Sequence, residues 1–132
     1  MTSARILVID DEPEIRKFLE ISLRSQGYAV TLAPTARAGL AEFSALHPDL
    51  VVLDLGLPDL DGAEVLERLR AVSEVPVIVL TVRSGETQKV ALLDAGANDY
   101  VTKPFGIQEL MARIRLAPVS YTHLRAHETR GN

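Results

Sequence analysis

Leu50-Val51-Val52-Leu53-Asp54 is an unbroken apolar run of leucine and β-branched residues that closes on a carboxylate. A half-exposed strand would alternate apolar with polar, so a short continuous run predicts a central strand covered on both faces. Ile6-Leu7-Val8-Ile9 and Val77-Ile78-Val79-Leu80 repeat the pattern, while the weaker runs Tyr28–Leu32 and Asp99–Thr102 suit the edges of a sheet. Between the runs the period changes to that of a helix. Ile15, Phe18, Leu19 and Leu23 recur at i, i+3, i+4 and i+8, with Pro13 suited to a first turn and Gly27 to a C-terminal cap. Leu40, Phe43 and Leu46 follow Thr35 as an N-cap; Val65, Leu66 and Leu69 mark a third helix; Val90 and Leu93 mark a fourth ending at Gly96; Ile107, Leu110, Met111 and Ile114 mark a fifth. Strict alternation of five strands and five helices predicts the α/β class, an open doubly wound parallel sheet of five strands with right-handed crossovers. Strand order does not follow from the spacing.

Composition bounds what such a sheet can do. At 132 residues and 47% hydrophobic content the chain is enough for one core. Cysteine is absent, which excludes disulfides and thiolate metal sites and fits the cytoplasm. No apolar run approaches the roughly 20 residues that span a bilayer, so no membrane association is expected. A formal net charge of −4 gives no basic footprint for a phosphate backbone, and no nucleic acid is expected to bind through this domain.

Ligands of open α/β sheets bind outside the carboxyl ends of the strands. Those ends carry Asp10 and Asp11 after the first run, Asp54 after the third, Thr81 after the fourth and Lys103-Pro104 after the fifth. One aspartate after a strand is commonly a turn former or a helix cap. Polar groups at four of five strand ends make a site the better reading. Three carboxylates converging on one point repel and raise one another's pKa unless a cation neutralises them. Oxygen ligands without histidine or cysteine select Mg²⁺, with Mn²⁺ as a substitute. A carboxylate nucleophile, a divalent ion, a cation and a hydroxyl are the parts needed to form an aspartyl phosphate. Asp54, the metal, Lys103 and Thr81 supply them. Asp54 is preferred as nucleophile because Gly56, Pro58, Asp59, Asp61 and Gly62 make a mobile loop open to a phosphodonor.

Five ordered blocks carry a resemblance: Val-Ile-Asp-Asp-Glu at 8–12, Asp-Leu-Gly-Leu-Pro-Asp at 54–59, Leu-Thr at 80–81, Asp-Ala-Gly-Ala-Asn-Asp-Tyr at 94–100 and Lys-Pro-Phe at 103–105. Over residues 5 to about 116 the chain resembles the response-regulator receiver family, CheY-like in fold, and in particular its winged-helix OmpR/PhoB branch. Leu-Gly-Leu-Pro-Asp, Lys-Pro-Phe-Gly-Ile and Glu-Leu-Met-Ala-Arg-Ile-Arg are most similar to KdpE-type regulators of potassium-transport operons. The resemblance implies strand order 2-1-3-4-5 in a flavodoxin-like sheet. It implies that Asp10, Asp11, Asp54 and the backbone carbonyl of Gly56 hold Mg²⁺, and that Asp54 accepts phosphate from a sensor histidine kinase. It also implies a cis Lys103–Pro104 peptide that aims the lysine. Such a chain is a phosphoacceptor rather than a classical enzyme. Thr81 and Tyr100 would form the switch, the hydroxyl drawn inward by the phosphoryl group and the ring filling the space it leaves. Lys89, Asp99, Glu109 and Arg113 would line a symmetric homodimer face, Lys89 meeting Glu109 and Asp99 meeting Arg113 across the two-fold. The family often has aspartate where this chain has Asn98, which removes one charge from that face.

The receiver is expected to occupy residues 1–117. In the family the fifth helix continues into a linker and a DNA-binding domain, but here Pro118 breaks it. Residues 118–132 lack an apolar period and resemble a vector-derived or read-through extension, expected to be disordered, with the DNA-binding domain absent. His123 and His127 have i, i+4 spacing but no helical setting and no third ligand, and His47 reads as a loop residue. Arg83 stands two residues beyond Thr81. Two other readings are carried. An aspartate-nucleophile phosphatase of the haloacid dehalogenase type would place Asp-x-Asp after its first strand, whereas this chain has Asp10-Asp11-Glu12 and little length for a substrate cap. A stand-alone receiver would signal by binding a protein partner; continuation of the reading frame into a winged helix separates it from a transcription factor.

Overall fold

The computed structural model describes residues 4–82 and 85–118. Arg83 and the segment 119–132, with His123 and His127, lie outside the described residues. Ten elements alternate along the chain: β1 (Arg5–Ile9), α1 (Pro13–Ser25), β2 (Ala29–Ala33), α2 (Ala36–Leu46), β3 (Leu50–Asp54), α3 (Gly62–Val72), β4 (Val77–Thr81), α4 (Glu86–Asp94), β5 (Asp99–Thr102) and α5 (Ile107–Leu116). All pairings are parallel, in the order β2-β1-β3-β4-β5. The three continuous runs form the three central strands and the two weaker runs the edges, because only strands flanked on both sides need apolar groups on both faces.

Successive side chains of a strand point to opposite faces, and the core divides accordingly. Leu7, Ile9, Val51, Leu53, Val77 and Val79 face Phe43 of α2, Val65, Leu66 and Leu69 of α3, and Leu92 of α4. Ile6, Val8, Leu50, Val52, Ile78 and Leu80 face Leu19 and Leu23 of α1 and Leu110, Met111 and Ile114 of α5. Each helix is set by local chemistry. Pro13 starts α1, and Gly27 at φ 92° follows its end. The Ala38 N–H donates to Thr35 Oγ1 at the start of α2, and the Ala63 N–H to Asp61 Oδ1 at the start of α3. α5 ends at Leu116, and Ala117 turns to extended backbone ahead of Pro118, as a residue before proline prefers.

The fourth helix lies where Val90 and Leu93 mark it, but its packing is not carried by them: they are 49% and 46% exposed while Leu92 is buried. Apolar residues on α4 outnumber its inward positions, so spacing alone does not say which of them turn inward. Phe18 of α1 is likewise 43% exposed, beside the fully buried Leu19.

Candidate functional site

The ends of β1, β3 and β4 hold three of the four buried polar side chains among the described residues: Asp10, Asp54 and Thr81. Their positions come from the ladder. Asp54 pairs with Leu80 across β3 and β4, the Leu55 N–H donates to the Leu80 carbonyl at 3.1 Å, and the Lys103 N–H donates to the Thr81 carbonyl at 2.8 Å. Backbone pairing therefore brings Asp54, Thr81 and Lys103 to one edge before any side chain interacts. Asp11, Asp54, Gly56, Thr81 and Lys103 line one cleft of about 470 Å³. The peptide between Lys103 and Pro104 is cis.

Asp10, Asp11 and Asp54 each offer a carboxylate oxygen, all within 4.8 Å of one another. Asp10 Oδ1 accepts from the Glu12 N–H at 2.8 Å, and Asp54 Oδ1 from the Gly56 N–H at 3.2 Å. The Lys103 ammonium lies 3.3 Å from Asp10 Oδ2, 3.3 Å from Asp54 Oδ1 and 3.5 Å from Glu12 Oε1. Burial pushes the Asp10 carboxyl above its ordinary value, against the backbone N–H of Glu12 and the charge of Lys103. Burial also raises Asp54, and the neighbouring Asp10 charge adds to it. For Lys103, burial acts downward, but Asp10, Asp54 and Glu12 together outweigh it and hold the ammonium above its usual range. Asp10 Oδ2 is fully buried, and its contact with Lys103 is an ion pair without a hydrogen bond. A single lysine among four carboxylates leaves excess negative charge, and an all-oxygen donor set of this kind fits a hard divalent cation.

The loop after β3, read from sequence as mobile, is tied at two points. Asp59 accepts from the Ala36 and Arg37 N–H groups at 2.9 and 3.0 Å, joining the loop to the start of α2, and Asp61 caps α3. Gly62 is required by proximity, since a Cβ there would lie 2.6 Å from Leu55 Cα. Sequence reasoning gave Glu12 no role, although it sits next to Asp10-Asp11 and reaches Lys103. Ala91 of α4 also lines the cleft without having been singled out.

The remaining candidates do not line this cleft and lie on α4, β5 and α5. Tyr100 is half-buried against the core, and the Lys89 ammonium lies 4.9 Å from its ring centroid, a cation–π contact. Asp99 and Arg113, expected to meet across a two-fold, pair within the chain at 3.3 Å, and Arg113 also lies 3.9 Å from Glu109 of the same helix. Asn98 is engaged elsewhere: its Oδ1 accepts from Arg70 Nη2 at 2.9 Å and from the Val77 N–H at 2.8 Å. No helix among the described residues is long and apolar enough to cross a membrane.

Residues 6–115 match the response regulator receiver domain family. Over 112 residues the chain is 54% identical to the KDP operon transcriptional regulatory protein KdpE of Escherichia coli and 52% identical to the transcriptional regulatory protein KdpE of Mycobacterium tuberculosis. Each alignment covers 85% of this chain and 50% of the relative, so the chain spans about half the length of these relatives. Among solved structures, the receiver domain of the Francisella response regulator 1452 aligns with a TM-score of 0.83 at 32% identity, covering 86% of this chain and 95% of that one. The BeF3-activated N-terminal receiver domain of Klebsiella pneumoniae RstA aligns at 0.81 and 29%, covering 85% and 96%.

Proposed function

Because the chain belongs to the response regulator receiver domain family, as a KdpE-like receiver of a two-component system, we propose that Asp54 is its phosphoacceptor, charged by a sensor histidine kinase. The observation that carries this is the Lys103 ammonium held 3.3 Å from both Asp10 and Asp54, with Lys103 and Asp54 lining one cleft. In the reaction an Asp54 carboxylate oxygen forms a bond to phosphorus while the bond from phosphorus to the donor histidine nitrogen breaks. The product is an acyl phosphate and the histidine keeps the electron pair. Asp10, Asp11, Asp54 and the Gly56 carbonyl would hold Mg²⁺, or Mn²⁺, whose contribution is to neutralise charge on the phosphoryl oxygens. Lys103 offers a second positive charge and Thr81 a hydroxyl to the same oxygens. The chain is a phosphate acceptor in this reading, not a classical enzyme, and the cytoplasm remains the expected compartment.

The output is a switch. A phosphoryl group on Asp54 adds acceptors that draw the Thr81 hydroxyl inward, and Tyr100 leaves Lys89 to occupy the space that opens. The α4–β5–α5 face then pairs with a second copy. Lys89 engages Glu109, and Asp99 and Arg113 exchange an internal ion pair for one across the two-fold. Exposed pairs of this kind are worth about 0.2 to 1 kcal/mol, so an exchange sets register, and the exposed Val90 and Leu93 must supply most of the association. Transcriptional control, the role that the KdpE relatives' names give, would act through a DNA-binding domain. Incubation with Mg²⁺ and acetyl phosphate, followed by peptide mapping in a mass spectrometer, tests the core of the reading. One phosphoryl group on Asp54 is expected. Its absence, or its persistence in Asp54→Asn, would refute the assignment.

A further inference from the structure

Lys103 touches three carboxylates, and they are not equivalent. Asp10 and Asp54 belong to the cluster that can hold a cation; Glu12 does not. A divalent ion among Asp10, Asp11 and Asp54 shares their charge and repels the nearby ammonium, so two of the lysine's three anchors weaken when the metal arrives. The Glu12 carboxylate keeps its full charge. Its backbone is fixed, the N–H donating to Asp10 Oδ1 at 2.8 Å and the carbonyl accepting from Arg16 at 3.0 Å. Although it stands at the N-cap of α1, its side chain makes no capping bond and is directed to Lys103.

We propose that Glu12 is a positioning residue, which retains the Lys103 ammonium in the cleft once a divalent cation has taken over Asp10 and Asp54. This rests on the reading of the cluster as a metal-loaded phosphoacceptor site. Without metal, Asp10 and Asp54 hold the lysine, and a 3.5 Å pair to a half-exposed glutamate adds little. Glu12 therefore matters only after metal binding. On phosphorylation the lysine moves its hydrogen bonds to the phosphoryl oxygens and Glu12 releases it.

The test follows the lysine directly. The lysines are Lys17, Lys89 and Lys103, few enough to resolve by NMR of protein labelled with ¹³C-lysine, with Lys103→Arg giving the assignment. In wild type the Lys103 Cε–Hε signal should stay displaced from the solvated-lysine position throughout a Mg²⁺ titration. In Glu12→Gln it should match wild type without Mg²⁺ and lose more than half its displacement at saturation. Glu12→Asp should restore part of it, and phosphorylation by acetyl phosphate at saturating Mg²⁺ should slow severalfold in Glu12→Gln. If the Lys103 signals of wild type and Glu12→Gln move together, the proposal is wrong. If the Leu55 and Gly56 amides of wild type do not respond to Mg²⁺, it is the metal reading that fails. Unchanged amide signals across the rest of the sheet verify that the variants fold.

Discussion

Asp54 is 5% exposed at the end of β3, where burial and the charge of Asp10 both favour its protonated form. A carboxyl whose folded pKa is raised contributes stability that is present below the unfolded value, near 3.8, and lost as pH rises through the folded one. At neutral pH the ionised group is thus a cost to the fold. Asp54→Asn, which leaves Lys103 paired with Asp10 and Glu12, should stabilise the metal-free protein at pH 7 by about 1 kcal/mol, the scale of an imperfectly compensated buried charge. Thermal unfolding should show no gain at pH 3, where both forms are neutral. Much of the site was legible at this scale. Asp10, Asp11, Asp54, Thr81 and Lys103 could be found because strand ends are identifiable and their residue types are unusual there. Glu12 was not, because a glutamate before Pro13 looks like the start of any helix.

Loops and helix ends carry constraints that spacing could not foretell. The backbone N–H of Arg37, with that of Ala36, holds the Asp59 carboxyl below its ordinary value, so its contribution is present above the unfolded value and lost as pH falls through the folded one. Asp59→Asn should lower stability at neutral pH, where the contribution is fully present, and flatten the acid limb below about pH 4 so that the two proteins converge there, read by denaturant titration across that range. At the far end of α3, Arg70 donates to the Gly96 carbonyl and to Asn98 Oδ1, both at 2.9 Å, so the helix grips the turn that leads from α4 into β5. Burial lowers the Arg70 pKa, while Glu74 opposes that effect. Removing a charged donor with these partners is expected to cost roughly 1 to 3 kcal/mol. Arg70→Ala should also speed hydrogen exchange at Ala97 and Asn98, with amides of β1 unaffected. Sequence suggested that Asn98 marks a charge missing from the dimer face. In the fold it is a bonded corner, a role that depends on Arg70 lying 28 residues away.

For the molecule as a whole, the strand ends gather more carboxylate charge than Lys103 alone offsets, an excess that a bound cation would reduce. A cation that binds only the folded form at about 100 times its dissociation constant should add roughly 2.7 kcal/mol. Millimolar Mg²⁺ is expected to raise the unfolding midpoint at pH 7, less so at pH 4 where protons compete for the carboxylates, and to have a reduced effect on Asp11→Asn. A midpoint indifferent to Mg²⁺ would count against the metal site. Sequence by itself determined the alternation of strands and helices, the central position of β1, β3 and β4, and the acidic strand ends, because apolar period and residue type are local properties. The resemblance supplied the strand order. Tertiary structure decided which of Val90, Leu92 and Leu93 turns inward, whether Asp99 meets Arg113 within the chain, and how Lys103 divides its charge among Asp10, Asp54 and Glu12. Those outcomes depend on distances between residues up to 93 positions apart, which are set only when the parallel ladder brings the strand ends to one edge of the sheet.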